Sequence, residues 1–314
     1  MPRTWSRIGE FGQDERLGFS FMNFTFRELR DRLHPLNRVR RYSACRQILN
    51  VFDVPVWTRM PGVKWKVRAR LVRHASSFLL AGGVEPGISC LFRTIAQETG
   101  VRSLWDVGAN IGYYSWVVKS LVPDCTVRLH EPEPDNLRLI EETIRRAGLD
   151  DVIVRPVAVS DQRAEVSFIR DTISGFTGEI DTSSSNFSER NWGIRGESVP
   201  VQAVSLDDER AATGRVDLIK IDVEGHEEAV IRGARELINN DEPIVIFECF
   251  HGGREINRML YKKGYTVADA ETMAAPSEDT SNFVALPARF NRDLLELAQS
   301  WQRRFVQIVG SSRH

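Results

Sequence analysis

Apolar and charged positions alternate strictly from 63 to 71. Val63, Trp65, Val67, Ala69 and Leu71 fall on one side, and Lys64, Lys66, Arg68 and Arg70 on the other. A two-residue period is that of a half-buried strand, here with a basic outer face. Past Gly82-Gly83 the rhythm changes. Residues 88–99 have helical spacing, and Gly100 ends the run. From Ser103 onward, short runs dense in Val, Ile and Leu alternate with amphipathic stretches. The predicted strands are 103–107, 126–130, 152–159, 216–223, 244–250, 265–268 and 283–286. The predicted helices between them are 113–121, 134–147, 227–238 and 255–263, and a C-terminal helix is predicted over 292–305. Strands alternating with helices imply a mainly parallel sheet covered on both faces.

One stretch departs from this rhythm. Residues 164–204 hold two strand-like runs, 164–170 and 198–204, around a Ser/Gly/Asn-rich segment, 174–196. A long polar insertion in the place of a crossover helix is expected to serve as a substrate loop. Residues 1–84 read as a basic, partly β N-terminal extension, 85–290 as one α/β domain, and 291–314 as a C-terminal helix.

With 314 residues, 42% apolar and 27% charged, the chain buries a substantial core without staples. A net charge of −1 excludes a nucleic-acid binder that works through overall charge. The charge is uneven, since residues 1–80 hold 16 Lys/Arg against 6 Asp/Glu. Cys45, Cys90, Cys125 and Cys249 form no C-x-x-C or Cys/His cluster, so neither a disulfide framework nor a zinc site is expected. Reduced thiols, no apolar leader and no run of 18 apolar residues read as a cytoplasmic protein without a transmembrane segment.

The chemistry begins at Asp106-Val107-Gly108-Ala109-Asn110-Ile111-Gly112, a predicted strand-to-helix turn. Glycines there let the backbone turn tightly and approach a ligand. Glu131 follows the next strand, 19 residues after Gly112, where a carboxylate accepts both ribose hydroxyls of an adenosine. A dinucleotide wants G-x-G-x-x-G and no competing anion beside its pyrophosphate. Here the third glycine is missing, and Asp106 would repel a pyrophosphate but attract the ammonium of a methionine moiety. Asp106 and Glu131 together therefore favour S-adenosylmethionine over NAD. Gly108, Ala109, Asn110 and Gly112 complete the expected methionine loop. After the third strand, Ser160 and Asp161 are expected beside the adenine.

At the end of the fourth strand stands Lys220-Ile221-Asp222-Val223-Glu224-Gly225-His226-Glu227. Lys220, Asp222 and Glu224 share one side by the two-residue period, and charges at the end of a buried strand need partners or a task. Asp222 is expected to face the cofactor, with Glu224 and His226 beyond it. His226 titrates near neutrality and suits removal of a hydroxyl proton, with Glu224 as the alternative base. Glu248 ends the fifth strand, and His251 follows it. Glu248 either pairs with Lys220 or helps hold the acceptor. No spacing demands a metal, and none is expected.

The strings L-W-D-V-G-A-N-I-G-Y-Y-S, H-E-P-E-P-D-N, V-A-V-S-D, V-S-L-D-D and D-L-I-K-I-D-V-E-G-H-E, with I-V-I-F-E after them, resemble the FkbM family of methyltransferases. The resemblance covers about 105–250. It implies the class I methyltransferase fold: a Rossmann-like, doubly wound, mainly parallel sheet whose last strand is antiparallel. It also implies methyl transfer from S-adenosylmethionine to a hydroxyl of a sugar, glycan or natural product. Asp106, Gly108, Asn110 and Gly112 would form the methionine loop, Glu131 would hold the ribose, Asp161 would lie near the adenine, and Asp222, Glu224 and His226 would line the reaction centre. Two other readings stand beside it: a nicotinamide-dependent oxidoreductase on a similar sheet, and a noncatalytic cofactor-binding partner. The absence of Asn/Asp-Pro-Pro-Tyr/Phe after the fourth strand argues against a flat amine acceptor.

Overall fold

The computed structural model describes residues 51–79, 85–170, 179–180, 197–211, 213–249, 253–290 and 294–310. Its first strands form a hairpin, β1 (Pro55–Arg59) antiparallel to β2 (Lys66–Arg70). The alternation read over 63–71 is a strand only at 66–70. Its partner β1 lacks a strict period and went unpredicted. Val67 and Ala69 are fully buried in one apolar cluster with Leu91, Phe92 and Trp116, so the hairpin shares the core of the α/β domain. Helices α1 (Ala75–Leu79) and α2 (Pro86–Glu98) come next. Pro86 opens α2, where a proline lacks only a hydrogen bond that the first turn does not make.

The alternating region comes after them: β3 (Ser103–Val107), α3 (Tyr113–Leu121), β4 (Thr126–His130), α4 (Pro134–Ala147) and β5 (Val152–Arg155). The basic face of β2 turns onto α4. Arg68 pairs with Glu142 at 2.8 Å and Arg70 with Asp135 at 3.2 Å, so both guanidinium charges are balanced within the chain.

The strand predicted over 152–159 divides at Pro156, which has no amide hydrogen to give a ladder. β5 stays in the main sheet, while β6 (Ala158–Val159) joins a second sheet with β7 (Ala164–Arg170), β8 (Glu179–Ile180) and β9 (Glu197–Val204), in the order β6-β9-β7-β8. Both strand-like runs of the insertion are thus strands, paired antiparallel from Ala164↔Ala203 to Arg170↔Glu197. Most of the polar segment 174–196 lies outside the described residues.

The chain returns through α5 (Leu206–Arg210), β10 (Leu218–Ile221), α6 (Glu227–Arg232), α7 (Arg235–Asp241), β11 (Ile244–Glu248), α8 (Arg254–Lys262), β12 (Thr266–Asp269), β13 (Asn282–Leu286) and α9 (Leu294–Gly310). The helix predicted over 227–238 is two helices, broken at Gly233-Ala234. The main sheet has seven strands in the order β12-β13-β11-β10-β3-β4-β5. β13 runs antiparallel to both neighbours, and the other described pairings are parallel. Apolar clusters lie on both faces, one around Leu104, Trp116 and Leu218, the other around Val107, Ile219 and Phe247. β3 and β10 supply residues to both, which is why their sequences read as continuous apolar runs. Among the described residues no helix is long and apolar enough to cross a membrane.

Candidate active site

In a doubly wound sheet the crevice lies beyond the carboxyl ends of the strands, where the strand order reverses. Here that point is between β3 and β10, and the charged motifs meet there. Register sets Asp106 beside Lys220. Asp106 is 1% exposed. Its Oδ2 accepts the Ser115 hydroxyl at 2.7 Å, and Lys220 Nζ stands 3.6 Å from its Oδ1. The same ammonium lies 3.1 Å from Asp222 Oδ2 and donates to the Gly108 carbonyl at 3.2 Å. Burial opposes this charge, but Asp222 and Asp106 outweigh it and hold Lys220 above its ordinary range.

Gly108 has φ +72°, and a Cβ there would stand 1.8 Å from the Asp222 carbonyl oxygen. Only glycine lets the two loops touch. The amides of Gly108 and Ala109 both donate to the His130 carbonyl, at 3.0 and 3.1 Å, which fixes the first loop to the end of β4. Glu131 follows that strand and is buried. Its Oε2 accepts the Asn110 amide at 2.7 Å and its Oε1 the Glu133 amide at 2.9 Å. Burial pushes its carboxyl up to about 7, against the pull of those amides.

Gly108, Glu131, Val157, Val159, Phe168 and Asp222 line one cleft between these loops. A wider, open concavity on α8, lined by Arg254, Asn257, Arg258, Tyr261 and Lys262, contains none of the motif residues. The cleft residues fit a ligand with an ammonium and hydroxyls. Beside the cleft, Asn110 Oδ1 is a buried acceptor without a hydrogen-bond partner, and Asp106 Oδ1 has only the Lys220 ammonium, 3.6 Å away. Asn110 adopts φ +55° to reach its place. A buried acceptor left unmatched is costly unless a ligand matches it.

Ser160 and Asp161 end β6. Ser160 Oγ meets His226 Nε2 at 2.9 Å, and Asp161 pairs with Arg232 at 3.5 Å. The structure therefore brings His226 to the Ser160 turn. Its charged neighbours are Asp161 and Arg232, and burial holds it below its ordinary range.

A separate group of acids gathers around Asp222. Register carries Lys220 opposite Ile246, so two residues further on Asp222 and Glu248 leave the sheet side by side. Glu248 stands next to Asp222 at the ends of neighbouring strands. Burial, then the charges of Asp222, Glu85 and Glu224, hold its carboxyl well above its ordinary range. Glu85 accepts the Tyr114 hydroxyl at 2.7 Å, and the Tyr114 ring lies 5.7 Å from Lys220 Nζ. His251 lies outside the described residues. Among those described, no group of three or more His, Cys, Asp or Glu is arranged to hold a metal.

Sequence reasoning missed Phe168, Glu85 and Tyr114. Phe168 sits on an alternating strand and gives no local signal. Glu85 and Tyr114 are brought in by packing of α2 against α3, a contact between helices that no motif spells out.

Seven strands in this order, the last antiparallel, with an acid-ended first strand and a glycine turn, define a class I methyltransferase. The family described as Methyltransferase FkbM domain matches residues 106–267, and the chain belongs to that family. Hexuronic acid methyltransferase AglP of Haloferax volcanii is 28% identical over 155 residues, 48% of this chain and 56% of that protein. Among solved structures, methyltransferase FkbM from Methylobacillus flagellatus KT aligns at 16% identity and a TM-score of 0.42, over 62% of this chain and 47% of its own. An O-methyltransferase from Bacillus cereus in complex with SAH aligns at 15% identity and 0.40, over 68% of this chain and 85% of its own. The chain spans little more than half the length of AglP and about half that of the Methylobacillus chain.

Proposed function

We propose that the chain moves a methyl group from S-adenosylmethionine to a hydroxyl oxygen of a sugar, glycan or related natural product. The observation that carries this reading is one cleft lined by two carboxylates, Glu131 after β4 and Asp222 after β10, with Gly108 also in its lining. Asp106 is buried on β3 beside Lys220, which it shares with Asp222. The Glu131 carboxylate suits a ribose, and the acids of the first loop and of β10 suit an ammonium. Asp106, Gly108, Ala109, Asn110 and Gly112 hold the methionine part, Glu131 the ribose, and Ser160 and Asp161 the adenine side.

S-adenosylmethionine supplies an electrophilic methyl group when bound. The chain's own task is to align the acceptor oxygen and take its proton. Asp222 receives that proton, and its carboxylate is oriented by Lys220 on one side and by the protonated carboxyl of Glu248 on the other. Glu224 borders the acceptor. His226, expected from its sequence position to be the base, instead clasps the Ser160 turn in this reading. The segment after β10, Asp222-Val223-Glu224-Gly225-His226, is not the Asn/Asp-Pro-Pro-Tyr/Phe of enzymes that methylate flat amines. AglP, named for methylating a hexuronic acid, supports a sugar acceptor.

Calorimetry with S-adenosylmethionine and NAD, followed by transfer of a labelled methyl group to a panel of sugars, tests the proposal. The expected result is S-adenosylmethionine binding and turnover that Asp222→Asn lowers by roughly 10²-fold, the scale of general-base catalysis. Tight NAD binding without S-adenosylmethionine binding overturns the cofactor. Full turnover in Asp222→Asn overturns the base.

A further inference from the structure

We infer that Glu227 is the positioning residue of the transfer centre: its buried side chain pins the turn that carries Asp222 and Glu224. The inference rests on the methyl-transfer reading above. Glu227 is the last letter of K-I-D-V-E-G-H-E, and as the first residue of α6 it reads as an ordinary helix-start acid. The structure gives it other partners. Its Oε1 accepts the Val223 amide at 3.2 Å and the Gly225 amide at 2.9 Å, and the residue is 3% exposed.

Neither amide has a backbone partner among the described residues. The sheet ladder has ended at Ile221 and α6 has not begun, so these two amides fall between the two main-chain frameworks. It is also strained. Glu224 holds φ +53° and Gly225 φ +103°, and a left-handed non-glycine residue persists only where its surroundings over-determine it. Two supports do so here. On one side the Asp222 carbonyl rests in the space left by the absent side chain of Gly108, and the Asp222 amide donates to the Val107 carbonyl at 3.0 Å. On the other side stands Glu227. Without it the first support remains, but the left-handed turn at Glu224 and Gly225 loses the acceptor that holds its two amides, and a shift of the turn moves Asp222 against Lys220. An error of about 1 Å at a reacting centre costs on the order of 10²-fold in rate.

The required property is an acceptor oxygen at the correct reach, not a charge. Burial pushes the Glu227 carboxyl up to about 7, and the uncharged carbonyl oxygen of a glutamine also accepts amide hydrogens at the same reach. This separates two conservative variants. Glu227→Gln keeps the length and loses the charge. Glu227→Asp keeps the charge and loses one methylene of reach. Three readouts are needed: amide exchange at Val223 and Gly225, S-adenosylmethionine affinity, and the split of turnover into kcat and acceptor KM.

The expected result is that Glu227→Gln stays within about threefold of wild type in kcat and exchange, the scale of a retained neutral hydrogen bond. Glu227→Asp should speed exchange at both amides roughly tenfold, the loss of one hydrogen bond. It should also lower kcat on the order of 10²-fold, with a smaller effect on acceptor KM. Impairment of Glu227→Gln to the level of Glu227→Asp overturns the inference, since charge would then be the operative property. Faster exchange in Glu227→Asp with unchanged kcat also overturns it, since the turn would then be irrelevant to transfer. Wild-type protein that binds no S-adenosylmethionine refutes the underlying reading instead, whatever the amides do.

Discussion

Glu131 and Glu209 are both buried beside β4, and they are held in opposite ways. Glu209 lies on α5 and is 5% exposed. It takes Arg128 at 2.8 Å and a two-point contact from Arg155 at 2.8 and 2.7 Å, with His130 Nε2 3.7 Å away. His130, then Arg155, outweigh burial and pull its carboxyl down to about 2. Glu131 is buried as deeply, yet it has two backbone amides and no ion pair among the described residues, and its carboxyl is pushed up to about 7. The first carboxylate is fully matched inside the chain and ties α5 to two strands of the sheet. The second is incompletely matched at the edge of a cleft. In the proposed reading this difference separates a group that serves the fold, Glu209, from one that meets the cofactor, Glu131.

The sharpest way to break this contrast is to remove each carboxylate in turn. Glu209→Ala leaves Arg128 and Arg155 facing each other without their counter-charge. Stability should fall by about 3 kcal/mol, the cost of breaking a buried ion pair, as read by chemical denaturation. Glu131→Ala should show the reverse pattern. S-adenosylmethionine affinity should weaken by about 2 kcal/mol, roughly thirtyfold, while the denaturation midpoint moves little. Calorimetry and denaturation on both variants decide the matter. Equal losses of stability would erase the distinction.

A pH series sharpens it further. Glu131 has a folded pKa near 7 against an ordinary value near 4.5, so the folded state binds a proton that the unfolded state has released. Stability from this group is greatest below about 4.5 and declines as pH rises towards 7. Cofactor binding has the opposite sign. Ribose hydroxyls donate to the ionised form, so affinity should rise with pH between about 6 and 8, by at most tenfold per unit. Glu131→Gln should flatten both slopes, and a slope that survives it belongs to another group. Glu209 is lowered instead, so its contribution is complete above about 4.5 and is lost as pH falls towards 2. The smallest effect is expected at His226, a neutral hydrogen bond between the two kinds of site. His226→Ala should weaken cofactor affinity a few-fold, the scale of one such bond, as measured by calorimetry. A hundredfold loss of kcat with unchanged affinity would return the residue to the role of base.

The first loop and Glu131 were legible in the sequence because their signals are local. A glycine four residues from another at a strand end, and an acid after the next strand, depend on backbone geometry that neighbouring residues dictate. The succession of strands and helices along the chain followed from the alternation of two periods, while their lateral order in the sheet did not. The place of Glu248 beside Asp222 was not legible, because it depends on the register of β10 against β11, and register is set by packing across the sheet. His226 illustrates the same limit. Its place after the fourth strand is read from the chain, but its contact with Ser160, 66 residues away, is decided by packing. The division of the third strand was foreshadowed by Pro156, whose missing donor forces the ladder to stop.

That division has a consequence for how the chain can be varied. β6 and β9 run parallel as neighbours, with Ala158 beside Ala203, and the Ser160 amide donates to the Val204 carbonyl at 2.9 Å. The excursion between them therefore starts and finishes at adjacent points on the backbone. Lengthening such a closed detour costs little chain entropy, because that cost grows only with the logarithm of loop length. The detour still touches the cleft, through Phe168. Natural drift or deliberate exchange of this segment can thus alter one wall of the cleft while leaving the path of the seven-stranded sheet unchanged. Chimaeras joined at Ser160 and Val204 are the natural way to transplant acceptor preference between relatives.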